Sequence, residues 1–193
     1  MGRPRKFDER EALAVALDEL WAKGYEATST TALAARMGIG AQSLYNTFGD
    51  KQALFERAMA LYVSEFIDRM LGPMEAPDAG LAAVRAYFED VTDKLATPVG
   101  ARGCFVVKTA MERTSPGDAL AEIAQAHFRR IEDALAHALE NAVVAGELRP
   151  DPSPRALARH LAATAAGLST LARSGTDARA LKETARVALS VLR

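Results

Sequence analysis

Apolar side chains in this chain return every third or fourth residue, and they rarely alternate with polar ones. Leu13, Ala16, Leu17 and Leu20 follow that rhythm, as do Phe55, Met59, Tyr62, Phe66 and Met70. So do Leu81, Val84, Phe88, Val91 and Leu95, and later Leu157, Leu161, Thr164, Leu168 and Leu171. A strand needs a period of two, whereas this spacing lines one face of a 3.6-residue helix. The expectation is an all-α fold of about nine helices. Aromatics are only 6% of 193 residues, leaving alanine and leucine, good helix formers, to build the core. That length buries a core without covalent staples. The single cysteine, Cys104, excludes an internal disulfide framework and a cysteine-based zinc cage, and fits a reducing compartment. No run of about 18 apolar residues could span a bilayer, and the basic opening segment lacks the apolar centre of a signal peptide. A soluble cytoplasmic protein is expected.

Glycines punctuate the first fifty residues. Gly24 stops a helix that begins near Asp8; Ser29 can cap a short second helix, Thr30 to Met37, which Gly38 ends. A third helix follows from about Ala41 to Phe48. Leu44 and Phe48, four apart, would bury one face of it, while Gln42, Ser43, Asn46 and Thr47 place hydrogen-bonding groups elsewhere. Leu33, Ile39 and Leu44 would pack the second helix on the third. Two short helices joined by a glycine turn form the helix-turn-helix pattern, in which the second helix enters the major groove. On spacing alone a small bundle that never touches DNA fits equally well.

Charge bears on that choice. A net charge of -1 argues against nucleic acid covering the whole surface, because phosphate binding needs clustered cations. Locally the balance differs: Arg3, Arg5 and Lys6 precede any acidic residue and form a basic arm, or else a solvated tail.

Further along, Asp50 can cap a fourth helix running to about Leu71, stopped by Gly72-Pro73 and long enough to act as a lever. Pro77 and Asp78 start a fifth that ends before Pro98. Residues 102–112 read as a short strand by their valine pair or as a helix by Cys104, Val107 and Met111. A long seventh helix from about Asp118 to Ala145 points Ile123, His127, Ile131 and Leu135 inward. Pro150 to Pro154 make a stiff turn before two alanine-rich helices. No nucleophile elbow, phosphate loop or zinc-protease pattern occurs, and the three histidines are dispersed. Neither a catalytic residue, nor a metal, nor a cofactor is expected.

Gly24-Tyr25-Glu26-Ala27-Thr28-Ser29, Leu33-Ala34, Gly38-Ile39, Leu44-Tyr45, Phe48, Lys51 and Leu54 resemble, in order and register, the N-terminal signature of TetR-family (AcrR-like) transcriptional regulators. The resemblance favours a helix over residues 102–112. It implies a DNA-binding domain at 1–50 and a ligand-binding and dimerisation domain at 51–193. The implied function is a homodimeric repressor of a palindromic double-stranded operator, released by a small-molecule effector. Carried over by position, Tyr45, Lys51 and Ser29 or Thr30 would meet phosphates, and Gln42, Ser43 and Asn46 would face bases or backbone. Gln42 is the residue expected to read a base, since its amide matches adenine's major-groove edge. Two departures stand out: Ala41 where relatives carry a lysine or polar residue, and Gly40 where a serine cap is common. Affinity would then lean on Lys51, Arg36 and the arm, whose Gly2-Arg3-Pro4-Arg5 resembles a minor-groove hook.

The effector pocket is expected inside the bundle, with Tyr62, Phe66, Tyr87, Phe88, Cys104, Phe105, Met111, His127 and Thr164 as candidates to line it and ordinary core packing as their alternative role. Few charges on those faces point to a mostly apolar, neutral effector. Cys104 is either a redox sensor or a buried packing residue. The resemblance also implies that the last two helices pair across the dimer, through Leu157, Leu161, Leu168, Leu181, Ala185, Ala188 and Leu192. A second reading is a helical small-molecule-binding or interaction protein with little specific DNA affinity, consistent with the uncharged third helix and a pI near 6.3.

Overall fold

A computed structural model describes residues 7–113 and 117–192. Arg3, Arg5 and Lys6 lie outside the described residues. Among those described the chain is helical throughout, with no strand. It divides into two compact units, 1–65 and 66–193.

In the first unit α1 (Glu9–Lys23) starts where the Asp8 carboxylate accepts the backbone N–H groups of Arg10 and Glu11, and ends at Gly24. α2 (Thr30–Arg36) is capped by the Ser29 hydroxyl, α3 (Ala41–Phe48) follows the glycine turn, and α4 (Lys51–Tyr62) is capped by Asp50. α1 packs against α4 and α2, so α4 is counted with the first unit rather than parted from it after residue 50. Leu20, Leu33, Leu44, Leu54 and Ala58 are fully enclosed in its core. Burying each of the leucines contributes roughly 1.5–3 kcal/mol.

A π-helical turn, Val63–Ile67, follows α4 in the chain, and α5 (Asp68–Glu75) follows that turn. With α4, the turn and α5 counted as one, the described helices are nine in number, but Gly72-Pro73 does not stop α5. Proline inside a helix removes a donor and crowds the preceding turn. Here tertiary contacts outweigh that local penalty. Leu71 and Met74 are buried, α5 packs on both α6 and α8, and the Arg130 guanidinium holds Asp68 and Glu75 at opposite ends of α5.

The second unit holds α6 (Leu81–Leu95), a 3₁₀ turn (Gly100–Arg102), α7 (Phe105–Glu112), α8 (Ala119–Val144), α9 (Pro154–Arg173) and α10 (Ala178–Leu189). α6 starts after Gly80 rather than at Pro77, because the Asn141 amide takes the carbonyls of Pro77 and Ala79 and holds that segment to α8. Residues 105–112 are helix, not strand. Along α8, Leu135, Ala138, Leu139 and Ala142 are enclosed and His127 is buried, whereas Ile123 and Ile131 are half-buried at its edges. α9 packs on α8 and α10, and α10 packs on α6. No helix among the described residues is long and apolar enough to cross a membrane.

Candidate nucleic-acid interface

The turn that presents α3 is built from backbone. The Ile39 N–H donates to the Ala34 carbonyl at 3.0 Å and the Gly38 N–H to that of Ala35 at 3.2 Å, the paired bonds of a Schellman ending. Gly38 takes a φ of 67°, left-handed space that glycine enters without strain. α3 then follows at once, with no side-chain cap from Gly40.

Leu44 (0% exposed) and Phe48 (3%) anchor α3, and Gln42, Ser43, Tyr45 and Asn46 are exposed. Three further contacts order this surface. The Gln42 amide donates to the Asn46 side-chain oxygen at 2.9 Å, one helical turn on, so the two amides form a single polar unit. The Tyr45 hydroxyl lies 3.2 Å from Thr30 Oγ1, joining the start of α2 to the middle of α3 in one hydroxyl pair. Lys51 Nζ sits 4.2 Å from the centre of the Tyr25 ring. Both residues are half-buried, and a cation–π contact near the surface is worth about 0.5–1 kcal/mol, so Lys51 is steadied but can be drawn off by a stronger anion. Ser29 Oγ accepts the Ala32 N–H at 3.1 Å and serves first as a helix cap. Arg36 is spent internally: it pairs with the buried Glu19 at 3.3 Å and reaches Asp18 at 3.9 Å, holding α2 to α1.

Arg57 is the residue that sequence reasoning missed. Its guanidinium donates to the Thr47 carbonyl at 2.9 Å, lies 4.7 Å from the centre of the Phe48 ring and pairs with Glu9 at 3.2 Å. One side chain of α4 thus closes the C-terminal end of α3 and ties both to α1. No local pattern marks it, since Arg57 meets these groups only after the chain has folded back.

The candidate pocket residues scatter. Tyr62 packs edge-on against Trp21 in the first unit, with ring centres 5.1 Å apart, and Phe66 is half-buried. In the second unit Tyr87 and Phe88 form an edge-to-face pair, and burial pushes the Tyr87 phenol far above its ordinary pKa, keeping it neutral. Phe88 also backs an open groove of about 680 Å³ between α6 and α10, which charged side chains such as Arg85, Asp93 and Lys182 flank. Phe105 is enclosed, and Thr164 bonds its own helix at the His160 carbonyl. Cys104 and Met111 share a different, smaller cavity beside α7. His127 is 6% exposed with no partner for Nε2, and its pKa falls to about 4 through burial and then the nearby Arg130, opposed by Asp68.

The candidate dimer residues lie inside the protomer. Leu157, Leu161, Leu168, Leu181, Ala185, Ala188 and Leu192 are each 8% exposed or less, because α8 and α6 already cover that face of α9 and α10. Exposed apolar surface lies instead at Leu171 (40%), Val187 (56%) and Val191 (41%).

The sequence profile of the bacterial regulatory proteins of the tetR family matches residues 12–58, and that of the tetracyclin repressor-like C-terminal domain matches 80–188. Along its whole length the chain is 33% identical to YezE, an HTH-type transcriptional regulator of Bacillus subtilis, with 100% of both proteins covered. It is 26% identical to the HTH-type transcriptional repressor ComR of Escherichia coli over 97% of this chain and 90% of ComR. A cysteine-substituted form of the TetR family transcriptional regulator CifR, complexed with 26-base-pair double-strand operator DNA, has a TM-score of 0.90 and 28% identity over 100% of both chains.

Proposed function

Because the chain belongs to the TetR family of bacterial regulatory proteins, we propose that it represses transcription in the cytoplasm by docking α3 in the major groove of a palindromic operator, as a homodimer. The observation that carries this reading is the exposed polar face of α3, held by Leu44 and Phe48 from within and by Arg57 at its end. Gln42 and Asn46 act together on base edges, and Gln42 contributes the adenine preference. Tyr45, Thr30 and Lys51 take backbone phosphates, with Ser43 and Ser29 beside them. Arg3, Arg5 and Lys6 add charge from the N-terminal arm.

α3 carries no charged residue, so its own affinity is low and two copies are needed. The dimer face we assign is the exposed side of α9 and α10 at Leu171 and Val187, with Val191 just past the end of α10. Residues of the second unit hold a mostly apolar effector whose entry releases DNA, a role supported by the enclosed aromatic residues Tyr87, Phe88 and Phe105.

The test is selection of bound fragments from random DNA, followed by fluorescence anisotropy across salt. Lys51→Ala should lower the slope of log affinity against log salt by about 1 and weaken all sequences alike. Absence of binding even at about 50 mM salt, where phosphate contacts are strongest, would instead assign the chain to small-molecule or protein interaction alone.

A further inference from the structure

Two uncharged amides lie on the outer face of α3, and the contact between them decides what each has left to offer. Gln42 and Asn46 stand one helical turn apart and both are exposed. Gln42 Nε2 donates to Asn46 Oδ1 at 2.9 Å. α3 carries no charged side chain, so no stronger partner on the helix competes for either amide.

A primary amide has two N–H donors and one carbonyl acceptor. With one Nε2 hydrogen committed to Asn46, Gln42 keeps a single N–H beside its carbonyl, the complement of adenine's N7 and N6 edge. Guanine offers two acceptors there, N7 and O6, and would set O6 against the Gln42 carbonyl. An unrestrained glutamine escapes that clash by turning its amide over and donating to guanine. Here the turn would bring the Gln42 carbonyl against Asn46 Oδ1, two acceptors facing each other. Asn46, for its part, has its oxygen occupied and two Nδ2 hydrogens to donate. Every base except cytosine presents a major-groove acceptor, at N7, O6 or O4. A donor bond to such a base also keeps Asn46 from turning over with Gln42. The 2.9 Å between the amides is close to the rise of one base step, about 3.4 Å, so the joined pair can meet successive bases of one strand. In the groove, where water is displaced, an unmatched donor or carbonyl costs more than it does on the exposed helix.

We propose that Asn46 is a positioning residue for Gln42, and that the pair reads a two-base step: adenine against Gln42 and, beside it on the same strand, a base other than cytosine against Asn46. The inference rests on the reading of α3 as the operator-contacting helix, and the experiment separates the two.

Fragments bound from random double-stranded DNA at about 50 mM salt are sequenced for the wild type, Gln42→Ala, Asn46→Ala and Asn46→Asp. The position whose preference Gln42→Ala erases is the one Gln42 reads, and fluorescence anisotropy with adenine or guanine placed there measures the discrimination. The wild type should favour adenine over guanine at least roughly tenfold, and Asn46→Ala should remove most of that ratio. Asn46→Asp keeps an oxygen for Gln42 Nε2 but loses both donors, so the adenine preference should persist while the adjacent base shifts to cytosine, whose N4 amine a carboxylate accepts. A merely structural role would not give this pattern, since a damaged α3 lowers affinity for every sequence alike. A wild type that selects no sequence overturns the reading of α3 itself, and this inference with it. Where the wild type does select one, the inference alone is overturned by a Gln42→Ala variant that erases no single position, or by an adenine-to-guanine ratio unchanged in Asn46→Ala. An Asn46→Asp variant without cytosine beside the adenine, including one that selects nothing, overturns it as well.

Discussion

Acidification should weaken this protein through one side chain. His127 is buried in α8, its Nε2 has no partner, and its pKa is lowered to about 4 from the ordinary 6.5. In the unfolded chain the imidazole takes up a proton near pH 6.5, while the folded site resists until about pH 4. Between those values the unfolded state binds more protons, so stability rises with pH and is lost as pH falls through the window. At pH 5 the loss relative to pH 8 comes to about 2 kcal/mol, and below pH 4 it levels off at about 3 kcal/mol. For a chain of this size 2 kcal/mol corresponds to a fall in Tm of about 4–8 °C.

The assay is urea unfolding at fixed protein concentration from pH 8 to pH 4.5, for the wild type and for His127→Gln, which keeps polarity and bulk but cannot titrate. The substitution leaves every other side chain of the protein in place, including the Arg130 ion pairs with Asp68 and Glu75, so the difference between the two curves isolates the histidine. That difference should shrink by about 2 kcal/mol as the pH falls from 8 to 5. Parallel curves would falsify the argument, because a histidine exposed to water or hydrogen-bonded when charged has no such window.

Arg57→Met should destabilise the first unit by about 1–2 kcal/mol and weaken operator binding roughly fivefold without touching DNA, as read by unfolding and anisotropy; a loss of affinity with unchanged stability would count against its clamping role. Gly38→Ala meets no atom within 4 Å, so its whole cost is the left-handed backbone, about 1–2 kcal/mol in thermal unfolding; a neutral result would mean that the turn relaxes. Gln42→Ala should change which bases are selected by roughly 1–3 kcal/mol at particular positions, and equal weakening of every site would remove its readout role. Pairing of copies through α9 and α10 should fail in Val187→Glu, seen by sedimentation as loss of dimer, whereas a retained dimer would place the interface elsewhere.

The helices themselves could be read from the sequence, because a 3.6-residue apolar rhythm decides local structure wherever it runs long enough. Gly38 and Ser29 marked the turn and the cap for equally local reasons: one residue supplies left-handed backbone and the other an acceptor for a backbone N–H. The exposed face of α3 follows from Leu44 and Phe48 by periodicity alone.

Periodicity says which face of a helix is apolar but not what covers it, and here the tertiary structure decided. The resemblance assigned the leucines of α9 and α10 to a second copy, yet α8 and α6 of the same chain bury them, and Leu171, Val187 and Val191 are exposed. Pro73 stays helical because Arg130, far along the chain, grips both ends of α5. Arg57 clamps α3 and Arg36 spends its charge on Glu19, each through a neighbour that sequence spacing cannot name. Local rhythm therefore determined the helices and the surface that α3 presents, while packing between distant segments determined which charges are free to act and which faces are left to meet a partner.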